Sequence, residues 1–276
     1  MKTHHSMSRQ AALLVIVFGG VLASRSALAD ELDALHKIID EAFQKKEWDL
    51  AIATCNKILQ MTPRDSDTYY NRGQAYRFKK NFDSAAASYK QALAIDPRFA
   101  RGHKGLGNLY RDQAKFDLAI PEFDKAIALD PDFSKSYGDR AWALWLKGDY
   151  QSAITDYNSA IRLEPTQARY YIGLGWILAT CPDAKFRDGL KAWQLAKRGY
   201  ELEPANGFAL DTLAAAYAET KDFKQAVIWS EKALASKGLT NSQKKSFESR
   251  LAHYKKGMPF RWDGSSDPIH GGGDDP

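Results

Sequence analysis

The chain has 276 residues, of which 44% are hydrophobic and 26% charged, and this composition is typical of a folded globular protein and not of a disordered one. Its formal net charge is +5 at pH 7, but the first 29 residues hold three basic residues and no acidic one. The remainder therefore carries about +2, which gives no general reason to expect nucleic acid or another polyanion as a partner.

The first predicted element is a secretory signal peptide covering residues 1–29. Lys2 and Arg9 precede an apolar run over residues 11–23, and Ala27 to Ala29 supply a small-x-small cleavage pattern. The apolar run is shorter than the roughly 20 residues that span a bilayer, so cleavage after Ala29 is predicted and an uncleaved anchor is the alternative. In a Gram-negative bacterium the mature protein would be periplasmic.

Regularly spaced prolines indicate an internal repeat. Pro63, Pro97, Pro131 and Pro165 follow one another at intervals of 34 residues, and Pro204 comes after a longer interval of 39. Self-similarity at a fixed period of this length is typical of repeat architectures. The longer interval predicts a five-residue insertion in the fifth unit, between Ile177 and Ala192, which we expect to protrude as a loop.

Small and large residues recur at fixed positions once the prolines are placed at position 32 of each unit. Position 8 holds a small residue in units two to six, namely Gly73, Gly107, Ala141, Gly175 and Ala214. Position 20 is alanine in six units, at Ala51, Ala85, Ala119, Ala153, Ala192 and Ala226. Position 11 is large, at Tyr76, Tyr110, Leu144, Leu178 and Tyr217. Small sites facing large ones predict paired helices that stack on their neighbours around a continuous core.

This pattern resembles that of the tetratricopeptide-repeat (TPR) family, over about residues 32–238 in six units. The resemblance implies an all-α, right-handed α-solenoid in which the first helix of each unit lines a concave groove. The units are predicted at 30–65, 66–99, 100–133, 134–167, 168–206 and 207–238. The first unit departs from the pattern with Ile39 and Ala42 at positions 8 and 11, as atypical terminal units do.

Beyond the sixth unit, the sequence predicts a capping helix within residues 239–260. Asn241 can cap it, and Phe247, Leu251 and Tyr254 share one face that should cover the last repeat. Gly257 and Pro259 stop the helix. The glycine-rich segment 261–276 is predicted to be a disordered tail without an assigned function.

The two cysteines, Cys55 and Cys181, lie four repeats apart in a fold whose repeats touch only their neighbours. They are therefore predicted to be free thiols, since a disulfide needs Cα atoms within about 7 Å. We expect Cys55 to pack as a small hydrophobic residue, whereas Cys181, beside Pro182 in the insertion, could be exposed.

No catalytic or metal-binding motif accompanies the repeats. The sequence contains no HExxH, CxxC, GxSxG or complete phosphate-binding glycine motif. Two Gly-x-Gly pairs, ending at Gly107 and Gly175, fall on repeat positions where helix packing explains them. The three histidines outside the termini are too far apart in sequence and repeat position to form one centre: His36, His103 and His253. We therefore predict a protein that is not an enzyme and needs no cofactor.

Basic and aromatic residues on the first helices of units three to five are the candidate peptide-binding groove. Position 2 carries a cation in three successive units, at Arg101, Lys135 and Arg169; Lys104, Asn108 and Arg111 add donors, and Trp142, Trp145 and Trp176 add aromatic faces. Cationic donors could hold carboxylates of a peptide while tryptophans receive its apolar side chains. The alternative is a solvated basic face with tryptophans filling gaps between helices.

Some TPR domains hold the C-terminal carboxylate of a peptide with five clamp residues, and part of this sequence resembles that clamp. Lys104, Asn108 and Arg169 fit the pattern. Asp139 stands where the pattern has Asn, and Gly173 stands where it has a basic residue, so two of the five positions depart from it.

The sequence therefore predicts a protein–protein interaction adaptor or scaffold in the periplasm. Its partner would be a protein or peptide that is acidic or has a free C-terminal carboxylate. No nucleic acid partner and no integral membrane segment of the mature chain are expected. The alternatives are an RNA-binding helical repeat, since some repeats of about this length read RNA, and an enzyme or small-ligand carrier, which would need a closed pocket.

Overall fold

A computed structural model describes residues 25–263, which form thirteen α-helices and one short 3₁₀ helix. The helices are α1 Arg25–Gln44, α2 Trp48–Met61, α3 Ser66–Phe78, α4 Phe82–Ile95, α5 Ala100–Asp112, α6 Phe116–Leu129, α7 Ser134–Lys147, α8 Tyr150–Leu163, α9 Ala168–Thr180, α10 Gly189–Leu202, α11 Gly207–Glu219, α12 Phe223–Leu234 and α13 Asn241–Lys255. Residues 25–263 contain no strand, and the predicted all-α fold is confirmed. No helix in this range is long and apolar enough to cross a bilayer.

In chain order, two α-helices fall in each of the six sequence intervals assigned to the repeats, and α13 follows them. The first helices of units two to six begin at the residues with which the predicted units start, namely Ser66, Ala100, Ser134, Ala168 and Gly207. Helix α1 starts at Arg25, ahead of the predicted cleavage after Ala29. The rest of the predicted signal peptide and residues 264–276 of the predicted tail lie outside the described residues.

Within the described residues the chain divides into two compact units, 25–109 and 110–263. The first contains the helix pairs α1/α2 and α3/α4 and most of α5. The second holds the end of α5 and all later helices. Each unit has its own buried cluster of aliphatic and aromatic side chains.

The repeated small residues lie where helices pack most tightly, as predicted. The six alanines at position 20 are completely buried. At position 8, an added Cβ on Gly175 would come within 3.3 Å of the Ala192 carbonyl oxygen and the Ala196 nitrogen, both in the backbone of α10. A larger side chain there would force α9 and α10 apart.

The turn between the two helices of a unit contains a left-handed residue in five of the six units. These residues are Lys46, Lys80, Ala114, Gly148 and Lys221, with φ between 55° and 88°. Only one of them is glycine, although the left-handed conformation costs a residue with a Cβ roughly 1–2 kcal/mol. The repeat therefore holds four other residues in a conformation that glycine adopts more easily.

Half-buried arginines at position 7 each join three consecutive helices, a feature that was not predicted from the sequence. The Arg140 guanidinium donates two hydrogen bonds of 2.7 Å to the Asp156 carboxylate and one of 2.6 Å to Asp124. Two repeats earlier, Arg72 donates to Asn56 and Ser88 at the equivalent positions. The first of these networks ties α7 to α6 and α8, and the second ties α3 to α2 and α4.

The terminal helix α13 is capped one residue earlier than predicted. The N-cap is Thr240, not Asn241, and it forms a capping box with Gln243 in which each side chain bonds the other residue's backbone N–H. Phe247 and Tyr254 are completely buried, so the predicted face does cover the last helix pair.

The insertion in the fifth unit is tied to the core and does not protrude freely. Its 3₁₀ helix, Ala184–Phe186, places Phe186 against the Tyr150 ring, with centroids 5.8 Å apart. The Arg187 guanidinium donates to the carbonyl oxygens of Cys181 and Pro182 and to Glu219. Both cysteines are free thiols, as predicted, but Cys181 is completely buried and not exposed.

Candidate functional site

In the unit 25–109, the predicted groove cation Arg101 already has a carboxylate partner. Its guanidinium lies 2.8 Å from the Asp67 carboxylate, at the same repeat position one unit earlier, and above the Tyr70 ring at 4.5 Å. Lys104 and Asn108, which the sequence analysis expected as open donors, are both buried.

In the unit 110–263, two further predicted donors converge on one buried carboxylate. Asp139 is 2% exposed, and it accepts hydrogen bonds from Arg111 at 3.3 Å and from Arg169 at 2.8 Å. Both cations are thus engaged within the protein. Lys135 is half-buried and forms no ion pair with any described residue, so it is the predicted cation best placed to meet a partner's charge.

The two departures from the carboxylate clamp have visible structural consequences. Asp139 turns Arg169 inward instead of leaving it for a ligand. At Gly173, an added Cβ would lie 2.6 Å from the Tyr157 hydroxyl oxygen, so the tyrosine occupies the space of the expected basic side chain. Within residues 25–263, no group of three or more His, Cys, Asp or Glu side chains could hold a metal ion.

The three predicted groove tryptophans are all buried. Trp142 is 5% exposed, Trp176 is 2% exposed and Trp145 is completely inaccessible. The Trp145 ring packs against Tyr150 with centroids 4.9 Å apart. As predicted, all three lie on the first helices α7 and α9, but two of them are covered by another part of the chain.

The covering segment is the stretch that follows α13, residues 257–263, which we call the C-terminal strap. It has no regular secondary structure beyond the turn at Gly257. Phe260 packs on Trp176 with ring centroids 5.9 Å apart, and Trp262 packs on Trp145 at 4.7 Å. Arg261 and Trp262, which were assigned to the predicted tail, are instead ordered parts of this contact.

Polar contacts fix the strap between its two aromatic rings. The backbone N–H of Trp262 donates to the Thr180 carbonyl oxygen at the end of α9 at 3.0 Å. The Arg261 guanidinium pairs with Glu219 at the end of α11 and donates to the Ala179 carbonyl oxygen at 3.2 Å. The C-terminal end of α9 therefore provides two carbonyl acceptors, and the C-terminal end of α11 provides a negative charge.

A buried ion pair supports the other side of Phe260. Arg250 of α13 is 1% exposed and pairs with Asp211 of α11, with 2.9 Å between Nη2 and Oδ2. Its guanidinium lies 5.2 Å from the Trp176 ring centroid and 5.6 Å from that of Phe260. The guanidinium therefore lies beside both rings of this tilted pair, where cation–π attraction adds to their packing.

Sequence reasoning missed Phe260, Arg261, Trp262, Glu219 and Arg250. The signal that could have found the strap is its composition, because two aromatic residues within five positions of the glycine that stops the helix are unusual in a disordered segment. Nothing local in the sequence, however, indicates which surface such a segment covers.

Comparison with known proteins identifies the repeats. Models described as tetratricopeptide repeat match residues 66–99 and, with two overlapping matches, residues 104–168 and 139–180. No curated protein matches the chain significantly.

Solved structures share the fold at low sequence identity. Yeast Tom70 is 23% identical with a TM-score of 0.59 over 74% of this chain, which spans 43% of the Tom70 chain. Pseudomonas aeruginosa PilF is 20% identical with a TM-score of 0.58, over 70% of this chain and 85% of PilF. YrrB, described as a TPR protein with an unusual peptide-binding site, is 19% identical with a TM-score of 0.52, over 73% of this chain and 97% of YrrB.

The helix pairs, their small-residue contacts and the matched models agree on one family. At these identities the solved structures indicate the fold alone. Residues 66–99 and 104–180 of the chain are therefore identified as tetratricopeptide repeats.

Proposed function

We propose that this chain is a non-catalytic scaffold that binds a segment of a partner protein on the first helices of residues 110–263. The observation that supports the proposal is the docked strap. A short irregular segment lies on α7 and α9 through two ring contacts and a backbone hydrogen bond to Thr180. Aromatic anchors and main-chain hydrogen bonds are the means by which many domains hold peptides.

The family supports the same proposal more generally. Stacked helix pairs provide a long surface for binding, and YrrB is described as having a peptide-binding site. That site belongs to YrrB, and the location on this chain is argued from its own contacts. An acidic partner or a free C-terminal carboxylate remains part of the proposal, with Lys135 as the cation that could meet it.

We also propose that the scaffold acts in the periplasm after the signal peptide is removed. The pattern at Ala27 to Ala29 supports cleavage before Asp30. N-terminal sequencing of the protein from its own cells tests this. A first residue of Asp30 agrees with the proposal, whereas an intact Met1 in a membrane fraction contradicts it.

The binding function is tested by capturing a partner from the periplasm and titrating it against defined variants. Lys135→Glu reverses a charge on the first helix α7, and Lys224→Glu makes the same change on the exposed face of the second helix α12. For an acidic partner, Lys135→Glu should weaken binding by about 0.5–1 kcal/mol, roughly 2- to 5-fold, with a smaller effect at high salt. Lys224→Glu should leave the affinity unchanged.

The opposite pattern, with only Lys224→Glu weakening the complex, would place binding on the second helices and contradict the proposal. Arg169→Glu is not suitable for this test. It would place a carboxylate beside the buried Asp139 and destabilise the fold.

A further inference from the structure

Three consecutive strap residues each meet a matching group on the second unit. Phe260 lies against Trp176 and the Arg250 guanidinium, Arg261 pairs with Glu219, and Trp262 lies on Trp145. The surface that receives the strap therefore presents an aromatic, an acidic and an aromatic side chain in turn, namely Trp176, Glu219 and Trp145. It is complementary to an aromatic–arginine–aromatic sequence.

The connection between the strap and α13 allows the strap to leave this surface. Gly257 has a left-handed φ of +68°, and a Cβ added there would meet no atom closer than 4.0 Å. Met258, the next residue, is 45% exposed. The polar contacts between the strap and the ends of α9 and α11 include one backbone hydrogen bond, from Trp262 to Thr180, and the side-chain contacts of Arg261 with Ala179 and Glu219. Irregular segments that are held mainly by side-chain contacts next to an open glycine turn belong to the less stable parts of a fold.

The docked strap is also an incomplete fit for its site. The indole N–H groups of Trp145 and Trp262 are both buried, and neither has a hydrogen-bond acceptor among residues 25–263. A buried donor without an acceptor loses the hydrogen bond that it makes with water when it is exposed. Docking therefore carries a desolvation cost at both rings, and a ligand that supplied an acceptor to Trp145 would avoid part of it.

We infer that the C-terminal strap is a built-in competitor for the peptide-binding surface, and that the partner presents an aromatic–arginine–aromatic segment that displaces it. This inference rests on the proposed function and adds the chemistry of the partner and a means of control. The apparent affinity for the partner is then reduced by the fraction of molecules in which the strap is docked. The partner segment takes the places of Phe260, Arg261 and Trp262.

The test uses the full chain and a labelled synthetic peptide with the sequence of residues 257–263. Fluorescence polarisation measures binding to the wild-type chain, to the double variant Phe260→Ala/Trp262→Ala, and to the control Met258→Ala in the exposed part of the strap. The double variant should bind the peptide at least about 10-fold more tightly than the wild type, since its own strap no longer competes. Met258→Ala should behave like the wild type, and a peptide with both aromatics replaced by alanine should not bind.

Equal binding to the wild-type chain and the double variant would overturn the inference, and so would no binding to either. Far-UV circular dichroism checks that the double variant keeps its helices. Hydrogen exchange of the Trp262 amide in the wild-type chain gives an independent answer that needs no variant. Exchange through local opening, faster than that of the α8 amides, supports a displaceable strap, whereas exchange only through global unfolding overturns it.

The outcome for the captured partner separates this inference from the proposed function. If the partner binds the wild type and the double variant equally well, the scaffold function stands and the strap is not a competitor. If neither form binds a partner but the peptide still binds the double variant, the strap contact is confirmed and the scaffold function fails. A wild-type dimer that dissociates in the double variant would show instead that the strap acts between two copies.

Discussion

The contact between Trp145 and Trp262 can be measured by a double-mutant cycle. Trp145 is completely buried, so Trp145→Ala should destabilise the chain by about 3–5 kcal/mol through lost packing and the cavity that remains. For a chain of this size that loss lowers the Tm by about 6–20 °C. Trp262→Ala should cost less, because the residue lies in an irregular segment close to the end of the described chain.

The pair should show a coupling energy in addition to these separate losses. Their ring centroids are 4.7 Å apart at an interplanar angle of 33°, a geometry for which aromatic pairs contribute about 0.5–1.5 kcal/mol beyond the area that they bury. The double variant should therefore be less destabilised than the sum of the two single variants by this amount. Urea unfolding followed by circular dichroism gives the four free energies of unfolding.

A second cycle provides the control. Trp193 of α10 packs against Tyr217 and has no ring contact with the strap, so Trp193→Ala and Trp262→Ala should be additive. If the Trp145–Trp262 pair were also additive within about 0.3 kcal/mol, the two rings would not be in contact in solution and the docked strap would be wrong.

Three further predictions concern the repeat turns, the thiols and the buried carboxylate. Ala114→Gly should stabilise the chain by about 0.5–1 kcal/mol in urea unfolding, because Ala114 has a left-handed φ of +55° that glycine adopts more easily. Gly148→Ala should destabilise the chain for the same reason. Equal effects of the two substitutions on the free energy of unfolding would contradict this prediction. Burial raises the pKa of the Cys55 thiol to about 12 and also raises the pKa of the Cys181 thiol, so both thiols remain protonated at pH 8. Neither should react with iodoacetamide until the chain unfolds. Reaction of the native chain at the rate of a free thiol would contradict this prediction. Asp139→Ala removes the acceptor that Arg111 and Arg169 share and should reduce the free energy of unfolding, measured in urea, by about 1–3 kcal/mol. An unchanged free energy of unfolding would mean that these two ion pairs do not form.

The fold could be predicted because its information is local and repeated. Prolines at intervals of 34 residues mark the ends of units, and a residue such as Ala153 is small because a facing helix leaves no more room. These constraints are the same in each unit, so six copies reinforce one interpretation. The position 7 arginines were missed because their partners lie on other helices, and Arg72 and Arg140 use different acceptors.

The candidate site could be predicted only in part, because its contacts are not repeated. Trp145 and Trp176 were correctly placed on first helices, but their covering residues lie far along the chain in a segment without periodicity. The departure of Asp139 from the clamp pattern was visible in the sequence. Its consequence, an internal partner for Arg169, depends on a distance of 2.8 Å that no sequence pattern specifies.

Photo-crosslinking in the native cell can show whether a partner binds on the first helices of residues 110–263. A benzoylphenylalanine replaces Lys135 on the first helix α7 in one variant and Leu118, which is 51% exposed on the second helix α6, in the other. We expect a crosslinked partner from the Lys135 position and none from the Leu118 position. Crosslinking from the Leu118 position alone would contradict this expectation.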